Sequence, residues 1–280
     1  MIILLFTITI FATIICFFIY SQGTEVERII VVSEAFPNNT EIKIAHLSDL
    51  HIPRTGLSYK KIENILKHEN PDYIFLTGDN HDHHTTAKNS DMSVLLEKLL
   101  RVAPVYAVLG NHELRIRDND FIFEEFEKHG VRLLYNSTDI INHNGCDIAV
   151  LGTAPKPEGF YKGQFKNTCK TESSPKILIT HFPQYINEYT DKTNPLFPNI
   201  IFAGHAHGGQ IRLPFLKGLY APGQGFFPKY TSGLYTISSD QYMIVSRGMK
   251  NGILPPKLNN RCHIPIVVIK EKTEDGKPDN

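Results

Sequence analysis

Five short apolar runs in this chain each end on side chains that can bind a cation. The donors are Asp49 and His51, then Asp79, then Asn111 with His112, then His181, and last His205 and His207. Carboxylate and imidazole donors suit Mn²⁺, Fe or Zn²⁺ better than a thiolate site would. The last pair lies in Gly204-His205-Ala206-His207-Gly208-Gly209-Gln210. Two residues apart, both imidazoles point the same way if the strand is still extended where it ends. The flanking glycines let the backbone turn tightly and approach a ligand. Any one of these ends alone is weak, because an Asp-x-His is common and a Gly-Asn is usually a turn. Two solvated histidines in a glycine turn explain the last stretch equally well on its own. Five such ends in one chain are hard to explain as coincidence.

The elements that must position them alternate. Strands are expected at 28–32, 42–47, 73–76 and 105–109, with amphipathic helices at 59–66, 90–100 and 120–129. Tyr59, Ile62, Ile65 and Leu66 follow helical spacing, with Lys60, Lys61, Glu63 and Lys67 on the other face. The run Tyr73-Ile74-Phe75-Leu76 suits a strand buried on both faces. Short strands then dominate, at 131–134, 139–142, 147–151, 176–180, 200–203, 233–237, 242–246 and 264–269, around a polar surface loop at 155–174. Alternation of strand and helix argues for an α/β sheet with helical cover. Ligands in such sheets bind beyond the carboxyl ends of the strands, where the polar clusters fall.

In order, the clusters read Asp49-Leu50-His51, Gly78-Asp79-Asn80-His81-Asp82, Gly110-Asn111-His112-Glu113, His181, and Gly204-His205-Ala206-His207. This set resembles the calcineurin-like metallophosphoesterase family, whose pattern is D-x-H, G-D-x-x-D, G-N-H-[DE], a separate His and G-H-x-H. The resemblance implies a sandwich of two mixed β-sheets flanked by helices, in α-β-β-α layers. It implies two divalent metal ions, with manganese the first choice and iron or zinc the alternatives. Carried over by motif, Asp49, His51 and His207 would hold one ion, Asn111, His181 and His205 the other, and Asp79 would bridge both. Two cations clamp a phosphoryl group and make a bound water acidic enough to attack near neutral pH. The resemblance gives His112 a substrate contact and a general-acid role, with Asp82 orienting it. The rival reading of Asp82 is a turn residue. Asp82 also stands where the purple acid phosphatases of the family carry a metal-ligating tyrosine, which argues against that branch. The Gly208-Gly209-Gln210 extension and the N-terminal segment are similar to membrane-associated bacterial members, among them exported phosphodiesterases and UDP-diacylglucosamine pyrophosphatases.

The 280 residues carry a formal net charge of +0, so no nucleic-acid surface is expected. Met1 to Tyr20 has no charged side chain. Its length is near the roughly 20 apolar residues that span a bilayer. Lacking a positive n-region, it reads as an uncleaved single-pass anchor over 1–21, with a cleaved signal as the rival. The chain then divides into a linker and first strand at 22–40, the catalytic domain at 41–270 and a disordered charged tail at 271–280. The expected location is the cell membrane, with the domain outside the cytoplasm. The 4 cysteines form no CxxC pair and leave one disulfide open. His81, His83 and His84 are expected in a solvated loop, with recruitment of metal or substrate as the alternative, and His46 packed or hydrogen-bonded. Phe226, Phe227 and Tyr230 could line an apolar substrate cleft or pack in the core, and Arg212 or Arg247 could grip a second phosphate. The expected function is hydrolysis of a phosphodiester or phosphomonoester by a membrane-anchored enzyme. The alternatives are a pyrophosphatase on a lipid-linked nucleotide sugar and a metal-stabilised binding scaffold. The oligomeric state is not legible.

Overall fold

The structure is a computed structural model that describes residues 2–37, 40–155, 174–191, 196–213, 215, 217–250 and 257–271. Two six-stranded sheets face each other. The first is built from β1 (Thr24–Ser33), β14 (Cys262–Glu271), β2 (Glu41–Leu47), β3 (Tyr73–Thr77), β4 (Val105–Val108) and β5 (Arg132–Leu133), in that order. From β2 to β5 the strands run parallel, and β14 is antiparallel to β2. The second sheet is β12 (Gly233–Ser238), β13 (Gln241–Val245), β9 (Ile200–Ala203), β8 (Lys176–Ile179), β7 (Cys146–Gly152) and β6 (Ser137–His143). Its four central strands are parallel and its two edges antiparallel. Both sheets are mixed, as expected.

The layers follow from which residues each face buries. Ile42, Ile44, Phe75 and Val108 from the first sheet meet Ile148, Val150, Ile177 and Phe202 from the second. On the outer face of the first sheet, Leu47, Ile74 and Leu76 pack beneath α2 (Tyr59–Glu69), α3 (Met92–Leu100) and α4 (Asp120–Lys128). Their apolar stripes supply Ile62, Leu66, Leu95, Leu99, Ile122 and Phe126. The outer face of the second sheet is covered more thinly. Leu178, Ile201 and Met243 meet Ile186 and Tyr189 of α5 (Ile186–Tyr189), a short helix that no sequence period announces. A two-stranded ribbon, β10 (Tyr220–Ala221) and β11 (Gly225–Phe226), completes the fold.

β1 begins at Thr24 rather than Arg28 and pairs with β14 over its whole length, so the expected first strand is longer and forms an edge of the first sheet. The N-terminal segment forms α1 (Ile2–Ser21). Its end is held by the Asn259 amide on the Phe17 carbonyl (3.3 Å) and by Arg261 stacked 3.7 Å from the Tyr20 ring centroid. Among the described residues no helix is long and apolar enough to cross a membrane, so the fold lends the expected anchor no support. Most of the 155–174 loop and of the C-terminal tail lies outside the described residues. Cys16, Cys146 and Cys262 are unpaired, and Cys169 lies outside the described residues.

His46 is fully buried, 2.8 Å from the Thr77 hydroxyl, and meets Phe202 edge-on at 5.3 Å. Burial, with a smaller push from His263, pulls its pKa down to about 3, so it packs as a neutral ring. Phe202 also meets Phe75 edge-on at 5.2 Å, so it is one of the contacts that join the two sheets. Phe202→Ala is expected to cost about 3–5 kcal/mol in urea unfolding, since the rings around it cannot collapse into the gap. A loss under about 1 kcal/mol would contradict this account of the core.

Candidate metal centre

Each donor named from the sequence leaves the carboxyl end of a parallel strand. Asp49 and His51 follow β2, Asp79 follows β3, Asn111 and His112 follow β4, His181 follows β8, and His205 and His207 follow β9. Turning these side chains back over the strand ends forces unusual backbone. Asp49, His51, Asp79, His205 and His207 have φ of 51°, 49°, 50°, 65° and 46°. Left-handed backbone at a residue with a Cβ costs about 1–3 kcal/mol and persists only where neighbours enforce it. Here a lattice of hydrogen bonds between the loops does so. The Asp49 amide donates to the Gly78 carbonyl (3.0 Å) and the His51 amide to the Asp79 carbonyl (2.9 Å). From the other sheet, the His205 amide donates to Asp49 Oδ2 at 3.1 Å.

Two glycines are required by close approach. A Cβ on Gly110 would strike the Asp79 carboxylate and amide, and one on Gly204 would strike the Ser48 hydroxyl. Glu113, the last residue of the third motif, is fully buried. It accepts the amides of Asp79 (3.2 Å), His81 (2.8 Å) and Gly110 (2.8 Å), tying the β3 and β4 loops into one unit. The motif contains Glu113, but only the structure shows this task.

The donors gather into two groups that share Asp79. Ligand atoms of Asp49, His51, Asp79 and His207 lie within 4.8 Å of one another, and so do those of Asp79, His181 and His205. Asp79 Oδ2 is 3.8 Å from His51 Nε2 and 3.4 Å from His181 Nε2. His207 Nε2 is 3.5 Å from Asp49 Oδ1, and His205 Nδ1 is 3.1 Å from His181 Nε2. Most of these separations are long for hydrogen bonds. They are close to the roughly 3–3.5 Å between two ligands of one ion with bonds of about 2.1 Å. Asp49 Oδ1, Asn111 Oδ1 and both His51 ring nitrogens are buried with no hydrogen-bond partner. Orphaned donors of this chemistry, converging from two sheets, fit divalent cations.

The electrostatics agree. Burial pushes His205 down to about 3 and His207 to about 4, so both rings are neutral and free to ligate. Burial also opposes a charge on His181, but the Asp79 carboxylate overrides it and holds the ring at about 9. A cation would take the place of that proton. Its other nitrogen, Nδ1, faces the Thr77 carbonyl at 2.8 Å, which leaves Nε2 for the centre.

His112 stands over Asp79, its Nε2 3.8 Å from Oδ2. Asp82 is buried nearby, with Oδ1 accepting the His84 amide (3.2 Å) and Oδ2 3.6 Å from Lys250 Nζ. Lys250 carries no signal in the sequence. It arrives on the 246–250 segment, whose Met249 and Lys250 amides donate to the Ser48 and Asp49 carbonyls at 3.0 and 2.9 Å.

Two expectations change here. His81 is not in a solvated loop: it is fully buried, 3.3 Å from Glu125 Oε2 and edge-on to Phe121. Arg247 is buried and pairs with Glu25 of β1 at 2.8 Å, and Arg212 bonds the Gly208 carbonyl and Ser232 hydroxyl, so both are committed within the protein. Tyr230 packs on Tyr235, whereas Phe226 and Phe227 are 71% and 64% exposed.

A family model described as calcineurin-like phosphoesterase matches residues 42–209, the span that holds every donor. The chain is similar to phosphodiesterase YaeI of Escherichia coli (strain K12), 27% identical over 219 residues that cover 76% of each chain. It is also similar to an uncharacterized metallophosphoesterase of Aquifex aeolicus (strain VF5), 27% identical and covering 88% of this chain and 92% of that one. A third relative is the uncharacterized metallophosphoesterase YkoQ of Bacillus subtilis (strain 168), 26% identical, with 75% of this chain and 80% of that one covered. The chain belongs to the calcineurin-like phosphoesterase family and is a metal-dependent phosphoric ester hydrolase.

Proposed function

We propose that this protein hydrolyses phosphodiesters or phosphomonoesters at a two-metal centre. Asp49, His51 and His207 would hold one ion, and Asn111, His181 and His205 the other, with Asp79 shared. The observation that carries this reading is that Asp79 belongs to both donor groups. A bound pair of divalent ions supplies Lewis-acid charge to the phosphoryl oxygens and acidifies water. Manganese is the first choice, and iron or zinc would suit the same donors.

The chain's own groups do the rest. The Asp79 carboxyl is held well below its usual range: burial opposes this, and the charge of His181 prevails. It therefore stays an anion between the two groups. His112 aims Nε2 at the centre, where it can hydrogen-bond a phosphoryl oxygen and assist the departing one. Burial raises the Asp82 carboxyl, but the His84 amide and Lys250 outweigh it, so Asp82 is an anion beside His112.

A second reading is supported by apolar side chains exposed on the surface. Phe215, Phe226 and Phe227 are exposed on the loop after the His207 turn, and the Leu219 amide of that loop donates to the Gly209 carbonyl at 3.0 Å. The described side chains Leu5, Phe6, Phe11 and Ile19 of α1 are 64–68% exposed. Apolar surface of this kind favours a lipid-borne substrate and a membrane-attached protein. The chain would then act as a pyrophosphatase on a lipid-linked nucleotide sugar.

The test is turnover of a chromogenic monoester, the matching diester and a lipid-linked pyrophosphate, with Mn²⁺ and with EDTA. Asp79→Asn and His205→Ala are expected to lower kcat/KM at least ~100-fold while the chain stays folded, since even outer-shell partners of a metal matter 10–100-fold. His112→Ala should lower kcat about 10²–10⁴-fold with metal content unchanged. Full activity in Asp79→Asn would overturn the centre. Preference for the lipid-linked pyrophosphate would favour the second reading over the first, and metal content without turnover of any substrate would favour a binding scaffold.

A further inference from the structure

His112 can act only if its ring is held with Nε2 over the centre. The carboxylate expected to do this does not bond it. Asp82 lies within 4.8 Å of a His112 nitrogen, but Oδ1 takes the His84 amide and Oδ2 has no hydrogen-bond partner. The bond to His112 comes from the next residue. The His83 backbone N–H donates to His112 Nδ1 at 3.2 Å, and the His83 side-chain Nδ1 lies at the same distance from that atom. Because His112 Nδ1 accepts, the network assigns the ring hydrogen to Nε2, the atom facing Asp79. The two rings meet edge to face at 4.8 Å, with the His51 ring against His112 at 4.4 Å. His83 Nδ1 in turn lies 3.4 Å from Asp82 Oδ1. The groups form a row: Asp82, His83, His112, then the centre.

We infer that His83 is a positioning residue for the hydrolysis, its ring packed beside Nδ1 and holding the His112 ring with its Nε2 hydrogen on the reacting phosphate. The inference rests on the role given to His112 above. Outer-shell groups that orient a functional imidazole are worth about 10–100-fold in activity. The side chain of His83 is 36% exposed and lines an open cleft with Arg115 and Arg117, so its removal leaves the core packing untouched.

The experiment is a double-mutant cycle on the full chain with Mn²⁺ and a chromogenic diester. His83→Ala should lower kcat roughly 10-fold or more, with KM and metal content unchanged. His83→Asn should restore most of the turnover, because its amide nitrogen falls near the place of Nδ1. In a His112→Ala chain, His83→Ala should cause no further loss. Wild-type kcat in His83→Ala, or the same loss with and without His112, would overturn the inference and leave the proposed function standing. Wild-type kcat in His112→Ala would overturn the role of His112, and this inference with it.

Discussion

The centre depends on keeping the Asp79 carboxylate as an anion away from water. A buried carboxylate is costly unless charge and hydrogen bonds compensate it. At Asp79 the compensation comes from three directions. The His112 amide donates to Oδ1 at 2.8 Å, His181 and His51 approach Oδ2, and Glu113 holds the Asp79 amide from behind. These partners follow three strands, β2, β4 and β8, drawn from both sheets. The carboxylate can therefore be satisfied only when both sheets are in register and every loop is in place. Left-handed backbone at five of the donors is the local consequence. The sheets make that strain tolerable, since Phe202, Phe75 and His46 help lock their faces together.

The same constraint explains why the centre reaches beyond the motif residues. The 246–250 segment crosses the back of Asp49, and a Cβ on Gly248 would collide with it. That segment is held in turn by Arg247 on Glu25 and by its amide on His263, whose Nε2 lies 2.8 Å from Glu27. β1 thus touches the centre through two pairs of charged or polar groups, although none of its residues faces the donors. Lys257 closes the arrangement, its ammonium donating to the Arg247 carbonyl at 2.7 Å. Burial lowers its pKa to about 8.

Much of this was legible in the chain. Alternating or continuous apolar runs placed the central strands, because a strand buried on one or both faces has little compositional freedom. The helices over the first sheet showed their stripes for the same reason. The donors were legible because each sits directly after such a run, where a side chain faces neither sheet nor helix. What was missed has physical causes. His81 looks like part of a polar loop because its neighbours are polar, yet Glu125 and Glu113 reach it from elements 44 and 32 residues away. Arg247 and Glu25 are similarly remote, and no local pattern encodes such a pair. The start of β1 was obscured because Thr24 to Glu27 are mostly polar and uniformly half-buried, with no apolar alternation to mark them. The step from Asp82 to His83 turned on loop geometry, which spacing does not specify.

The central claim is that one carboxylate serves two cations. The measurement that tests it most directly is anomalous scattering from crystals of the full chain grown with Mn²⁺. The account predicts two peaks about 3.5–4 Å apart. One should lie among Asp49, His51 and His207, the other among Asn111, His181 and His205, with Asp79 against both. A single peak, or two peaks that do not share Asp79, would contradict it.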